Sequence, residues 1–446
     1  MKNIKKLFQE FNQPDALMVF SSYALKDSDI KEQNALSWYT PQLLSTLPKS
    51  QKIVVLSETT KKGSNKIVQK DNILIIPCWQ KRDFRSILNI TYYYSAFTQV
   101  KNVLIEFEFN YFGHIFGPLI MFFTLAYLKI LRKKVLFQIH EIVSNLYIIR
   151  KQINLNNKAA LLFFNFSLGI FYKLVNLFSD KILVTESALA NKFKKITGSK
   201  KIVVLPIMVK DRTKNNDSGV ASLPRMTLKK LRNKFVLLFF GYLSWYKGID
   251  WLLEVFPKLK KQIPNLVLVV AGDKSPTLIG DNHYEAYYEK LNKLMNKKDI
   301  IQTGFIDDRK VRLWLNACDV LILPYRVFKS SSGPLSWALS YKKPVLFSKA
   351  LVEYKKSDDF KEAMQKSGIT DKEIFFDFSA DSLSDLLKTY NLKKLSGFSK
   401  YLAQFRSKQN VAKTLTELIN TQPRKKYSLA MQLLINNDSG QAGMTI

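Results

Sequence analysis

FVLLFFGYLSWYKGIDWLLEVFPKLKKQIPNLVLVVAGD, residues 235–273, changes its hydrophobic period twice. An unbroken apolar run ends at Gly241, and after a short loop GIDWLLEVFPKLKKQIP repeats its apolar residues at helical spacing. NLVLVVAGD is then a second unbroken apolar run. Strands buried on both faces read as continuous apolar runs, and two of them joined through a helix make a parallel strand–helix–strand unit.

The same alternation extends in both directions. Downstream come DIIQTGF (299–305), a helical pattern, VLILPY (320–325) and PVLFS (344–348), with helical patterns over 383–392 and 398–419. Upstream, similar bursts fall at 16–20, 52–58, 72–77, 102–108, 134–140, 181–187 and 201–206, with helical stretches such as 34–47 and 159–178 between them. NNDSGVASLP (215–224) is polar and bears Gly and Pro, which marks a linker. The expected fold class is therefore α/β, with two Rossmann-like, doubly wound parallel-sheet domains facing a cleft.

Composition narrows the function classes. A chain of 446 residues with 47% hydrophobic residues, 16 Gly and 14 Pro carries folded cores rather than long disordered tracts. Cys78 and Cys318 lie far apart, which suits a reducing compartment, and His114, His140 and His283 lack zinc-ligand spacing, so no metal site is expected. The net charge of +33 implies an anionic partner. It concentrates over residues 192–234, where 13 Lys/Arg meet two Asp. The aromatics sit in apolar periodic segments and not in an RNA-binding motif, so nucleic acid is not an expected partner. No apolar core of signal-peptide length precedes the first strand-like run.

Two greasy segments, 112–131 and 159–178, are long enough to test against a membrane. Both carry interrupting residues: Gly113, His114, Gly117, Pro118 and Lys129 in one, Asn165, Lys173 and Asn176 in the other. A transmembrane span and burial in an ordinary core are both open readings. Insertion into one leaflet, aided by the basic charge, is the favoured one.

In open α/β sheets ligands bind beyond the carboxyl ends of strands, where helix N-termini point inward. Lys247 lies in GYLSWYKGIDW (241–251), between a strand end and a helix start, and adds a full charge to the helix dipole. A second such end follows VLIL, where Ser330, Ser331, Ser332 and Gly333 present N–H groups and hydroxyls and Pro334 fits the first helical position. By themselves these features suit either an anion cradle or plain helix capping.

Together, FGYLSWYKGIDWLLEVFPKLKKQIPNLVLVVAGD, IQTGFIDDRKVRLWLNACDVLILPY and SSSGPLSWALSYKKPVLFS resemble the donor domain of retaining glycosyltransferase family 4, with the GT-B fold. In the first half, NALSWYTPQLLSTL, IEFEFNYFGHIFG and FQIHE fall where that family has acceptor-side motifs. The resemblance implies an acceptor domain over 1–215 with membrane-associating helices, a nucleotide-sugar donor domain over 225–400, a helix crossing back over 401–422, and a tail over 423–446. It implies that Lys247 contacts the donor diphosphate and that Ser330–Gly333 amides contact phosphates and sugar. It also implies that Gly241 and Tyr242 line the donor site, that His140 reaches the donor sugar, and that Glu106, Glu108 and Asn110 face the acceptor. Alternation places Glu106 and Glu108 on the same side of a strand and leaves open which one faces the cleft.

Three positions depart from the family pattern. Lys329 and Trp337 stand where two glutamates are usual, and Tyr242 stands where an arginine is usual. Tryptophan cannot accept the ribose hydrogen bonds that a glutamate would. The implied activity is transfer of a sugar from a nucleotide sugar to an acceptor hydroxyl, with retention, without a metal and with no cofactor beyond the donor substrate. The charge and apolar helices point to a lipid-linked saccharide or other surface-glycan precursor as acceptor, in polysaccharide biosynthesis, and to a cytoplasmic protein peripheral on the inner face of the membrane, whose surface is anionic. The alternative is a catalytically silent GT-B homologue that serves as partner or scaffold of an active transferase.

Overall fold

A computed structural model describes residues 2–24, 35–59, 66–80, 83–109, 116–153, 155–210, 229, 231–276 and 278–421. The expected linker 215–224, the tail 423–446, Asn110 and much of the basic run 192–234 lie outside these residues.

The apolar bursts form two sheets. The first contains β1 (Leu17–Phe20), β2 (Ile53–Glu58), β3 (Val68–Lys70), β4 (Ile73–Trp79), β5 (Asn102–Phe107), β6 (Lys134–Ile139), β7 (Lys181–Val184) and β8 (Ile202–Val204), in the order β3-β4-β2-β1-β5-β6-β7-β8. The second contains β9 (Phe235–Phe240), β10 (Leu266–Ala271), β11 (Ile300–Gln302), β12 (Val320–Leu323), β13 (Val345–Ser348) and β14 (Phe375–Phe376), in the order β11-β10-β9-β12-β13-β14. Pairing is parallel except for β3, which runs antiparallel on β4. VQK has no apolar pattern because it is a partly exposed edge strand, and its sequence gives no sign of it.

Side-chain alternation divides the first sheet between two cores. Met18 and Phe20 face one, whereas Leu17 and Val19 face the other. That second core is closed by Val411, Leu415, Leu418 and Ile419 of the helix Lys408–Asn420, so the chain's last described helix packs on the first sheet. Buried Lys134 donates from Nζ to the carbonyls of Leu418 (2.6 Å) and Ile419 (2.9 Å), satisfying the orphan acceptors of that helix end.

One expectation is corrected here. The helix read over 398–419 is two helices, Leu392–Phe405 and Lys408–Asn420. The break falls at Arg406 and Ser407. Arg406 leaves the helix to form buried ion pairs, and Ser407 Oγ caps the next helix by accepting from Asn410 N at 3.3 Å.

Strand order reverses at β1/β5 in one sheet and at β9/β12 in the other. Loops leaving neighbouring strands diverge at such points and open a crevice. In register, Phe20 lies beside Ile105 and Phe107 beside Ile139, so Ser21, Glu106, Glu108 and His140 cluster at one sheet end.

Candidate active site

A cavity of about 330 Å³ lies between the two sheets and is lined by both. Gly241, Tyr242, Lys247, Lys329, Ser330, Ser331, Ser332, Gly333 and Trp337 border it from the second domain, and Glu108 and His140 from the first. Residues more than a hundred positions apart are thereby brought together.

Lys247 ends a short 3-10 turn, Trp245–Lys247, directly before the helix Ile249–Gln262. Gly248 joins them with φ of 70°, and a Cβ there would lie 1.9 Å from the Pro324 carbonyl oxygen, so only glycine fits. Arg326 pins the turn by a bidentate pair with Asp250 (2.6 and 2.9 Å) and by donating to Trp245 O at 2.7 Å. The Lys247 side chain is consequently buried, with its residue only 7% exposed, and Nζ stands 5.9 Å from the rings of Tyr242 and Tyr246. It donates no hydrogen bond to any described residue. Burial, and then the neighbouring Lys329 charge, push its pKa down to about 8.

The Ser/Gly turn is both cap and cradle. Ser332 Oγ accepts from Leu335 N at 3.2 Å and bonds with Tyr325 OH at 3.0 Å, capping the helix Gly333–Ser340. Ser331 Oγ turns to the first domain, donating to Glu186 Oε1 (3.1 Å) and bonding with the Thr185 hydroxyl (2.6 Å). These two hydroxyls, expected to face a ligand, are thus committed to the fold. What remains for an anion at the helix start is the Gly333 N–H, because Pro334 has none and Leu335 N is bonded to Ser332 Oγ.

On the first-domain side, Glu106 is fully buried and accepts from Thr40 Oγ1 (2.8 Å) and Ser21 Oγ (3.3 Å). Its Oε2 lies 3.7 Å from His140 Nε2, and Tyr39 sits edge-on to the imidazole at 4.9 Å. Glu108 is the carboxylate that reaches the cavity, while Glu106 lies behind the histidine without bonding it. Burial, reinforced by the Glu141 carboxylate, raises Glu108 to about 7 against the pull of Lys329, His140 and Lys247.

The three departures have distinct surroundings. Lys329 Nζ donates to Glu141 Oε1 at 2.8 Å and lies 4.5 Å from the Tyr246 ring. Trp337 stacks on Tyr341 at 6.4 Å, with Lys210 Nζ 4.8 Å from its ring. Tyr242 stacks on Phe305 at 6.5 Å, and burial raises its hydroxyl to about 12. Glu141, Tyr39, Lys210 and Tyr246 also border or brace the site, and no motif in the sequence marks them. Glu141 is adjacent to His140 in FQIHE, yet nothing local marks its partner. No group of three or more His, Cys, Asp or Glu that could hold a metal ion occurs among the described residues.

Comparisons with known proteins bear on the fold and on part of the second domain. Residues 225–352 match the family model of glycosyl transferases group 1. The uncharacterized glycosyltransferase YqgM of Bacillus subtilis (strain 168) is 33% identical over 93 residues, a match spanning 21% of this chain and 24% of that protein. Sucrose-phosphate synthase from Thermosynechococcus elongatus superposes with a TM-score of 0.63 at 12% identity, covering 90% of this chain and 98% of that one. The trehalose-6-phosphate synthase OtsA superposes with a TM-score of 0.65 at 10% identity, covering 92% and 100%. Anabaena HepE, solved in complex with UDP and glucose, gives 0.56 at 11% identity, covering 90% and 98%. The chain thus has the two-domain GT-B fold, and its residues 225–352 match the glycosyl transferases group 1 model.

Proposed function

We propose that the protein is a retaining, family 4-like glycosyltransferase that moves a sugar from a nucleotide sugar to an acceptor hydroxyl without a metal. The observation that carries this reading is Lys247: a buried ammonium with no hydrogen-bond acceptor among the described residues, lining one cavity with the helix start at Ser330–Gly333. A diphosphate satisfies both. As the bond from the anomeric carbon to the diphosphate oxygen breaks, charge grows on the phosphate, and Lys247 with the Gly333 N–H stabilises it. The acceptor oxygen bonds the same carbon. Glu108, raised to about 7, takes the acceptor's proton, and His140, with Glu106 3.7 Å behind it, faces the donor sugar. The acceptor is a lipid-linked saccharide or another surface-glycan precursor, and the protein works at the cytoplasmic face of the membrane.

The test is a thermal-shift screen against nucleoside diphosphates and nucleotide sugars, followed by product analysis with the donor that shifts the midpoint. A raised midpoint that Lys247→Met abolishes, a product with the donor's anomeric configuration and activity undiminished by a chelator are expected. A second reading, the silent homologue, is favoured by the Lys329–Glu141 pair, which occupies charge that a donor sugar would otherwise meet. Nucleotide binding with no transfer to any acceptor would select it.

A further inference from the structure

The helix Lys158–Phe178 is turned inside out for a globular protein. It has 21 residues, is long and apolar enough by composition to cross a membrane, and only 22% of its apolar stretch is buried. Leu161, Phe171, Tyr172 and Val175 fasten one side to the domain core. The opposite stripe, Phe163 (64% exposed), Phe166 (69%), Ile170 (44%) and Leu177 (63%), recurs at helical spacing and faces outward.

This stripe continues across two neighbouring helices. Leu119, Phe123 and Ile130 project from Phe116–Ile130, and Leu88 and Tyr92 from Ser86–Ala96. Ring contacts bind the surface together, Phe122 to Phe178 and Phe84 to Phe123, each at 6.1 Å. Of nineteen exposed large hydrophobic side chains among the described residues, fourteen fall between 84 and 177, so the apolar exposure is concentrated in the first domain.

The charges around the face select its occupant. From 109 to 179 the chain contains one acidic residue, Glu141, and that one is buried. Over the same span Lys129, Arg132, Arg150, Lys151, Lys158 and Lys173 are exposed. Two copies meeting through this face would set the same cations against each other, with Asp83 at its edge already paired with Arg85 at 3.1 Å. An anionic lipid surface satisfies the apolar stripe and the cations at once.

We propose that this face docks on an anionic phospholipid bilayer and enters one leaflet, with Lys158–Phe178 lying in the plane of the interface. The side chains that fasten the helix to the core keep it from crossing. The segment between His140 and this helix carries exposed Tyr147, Ile148 and Ile153. It meets the second domain where His283 Nε2 stands 2.8 Å from Lys151 O. The lipid-facing surface therefore runs to the rim of the cleft. On the glycosyltransferase reading, on which this last step rests, an acceptor anchored in the leaflet enters the cleft from that rim.

The experiment is flotation of the full chain with vesicles of phosphatidylcholine alone and of phosphatidylcholine mixed with phosphatidylglycerol. Binding to the mixed vesicles, weakened by salt, is expected. The double variant Phe163→Asp/Phe166→Asp should lose at least about tenfold in bound fraction, with its unfolding midpoint and any nucleotide-induced shift preserved. Lys158→Ala/Lys173→Ala should weaken binding less and reduce its salt dependence. Wild-type protein that stays unbound with the mixed vesicles overturns the proposal. So does light scattering that shows a dimer which the aspartate variant converts to a monomer. Vesicle binding without any nucleotide shift leaves the docking intact and removes only the acceptor route.

Discussion

Lys329 donates to Glu141 at 2.8 Å across the cleft, and both side chains are 5% exposed, so each domain holds one half of a buried ion pair. Backbone contacts reinforce it, with Ile142 N donating to Lys329 O at 3.0 Å. Removing one partner from such a pair strands a buried charge. Lys329→Met is expected to cost about 3–5 kcal/mol, whereas Lys329→Met/Glu141→Leu recovers most of it. Denaturant unfolding of the two single variants and the double variant gives the coupling. If the double variant is as unstable as the singles combined, the pair is not the unit of stabilisation.

Lys247 makes ligand affinity depend on pH. Its pKa in the free protein is about 8 against an ordinary 10.5, so its charge is present below about 8 and is lost as pH rises through that value. A bound diphosphate favours the charged form, so nucleotide affinity should be level below about 8 and fall above it, with proton uptake on binding in the falling range. Titration calorimetry in buffers of different ionisation enthalpy measures that uptake. Lys247→Arg should remove the fall, and Lys247→Met should weaken binding by about 1.5–3 kcal/mol, roughly tenfold to a hundredfold.

The same residue has an opposite effect on the empty protein. A lysine whose folded pKa lies below its unfolded one penalises folding at low pH, and the penalty fades as pH rises from about 8 to 10.5. Without nucleotide, Lys247→Met should be more stable than wild type at neutral pH, and the gap should close in alkali. Paired unfolding curves across that range check the sign.

Gly248 holds the turn that aims Lys247. Its φ of 70° and the 1.9 Å approach of a Cβ to Pro324 O leave no room for a side chain. Gly248→Ala should therefore cost at least about 2 kcal/mol, from left-handed strain plus the clash. Nucleotide-induced stabilisation should shrink as well, because the lysine moves with its turn.

Arg406 joins both domains at the helix break. It makes a bidentate pair with Glu186 (2.6 and 2.9 Å) and reaches Asp359 at 2.8 Å, while Glu186 also accepts from Ser331 in the Ser/Gly turn. Burial raises Glu186 despite the guanidinium beside it. Arg406→Met should cost about 3–5 kcal/mol at neutral pH. The deficit should narrow on acidification, as the stranded carboxylates gain protons; thermal unfolding at several pH values reads this directly.

Much of the architecture was legible locally. Unbroken apolar runs separated by helical periods marked twelve of the strands, because a strand buried on both faces and an amphipathic helix each write their own period. Ser332 as cap, Pro334 in the first turn and Lys247 beside Gly248 were readable as well, since capping and turns act over a few residues. Edge strands β3 and β14 were not, because an edge has no need of an apolar pattern and two residues are too few to write a period.

What the sequence by itself determined is the order of strands and helices and the places where helix N-termini meet strand ends, because both follow from interactions within about one turn or one strand. Tertiary structure alone decided which distant charges meet. Lys329 finds Glu141 across 188 positions and Arg406 finds Glu186 across 220. It also decided that Glu108, not Glu106, reaches the cavity, and that the apolar stripe of Lys158–Phe178 points outward. An apolar residue has the same composition inside and outside. Only the packing of the whole chain sets which solvent it meets.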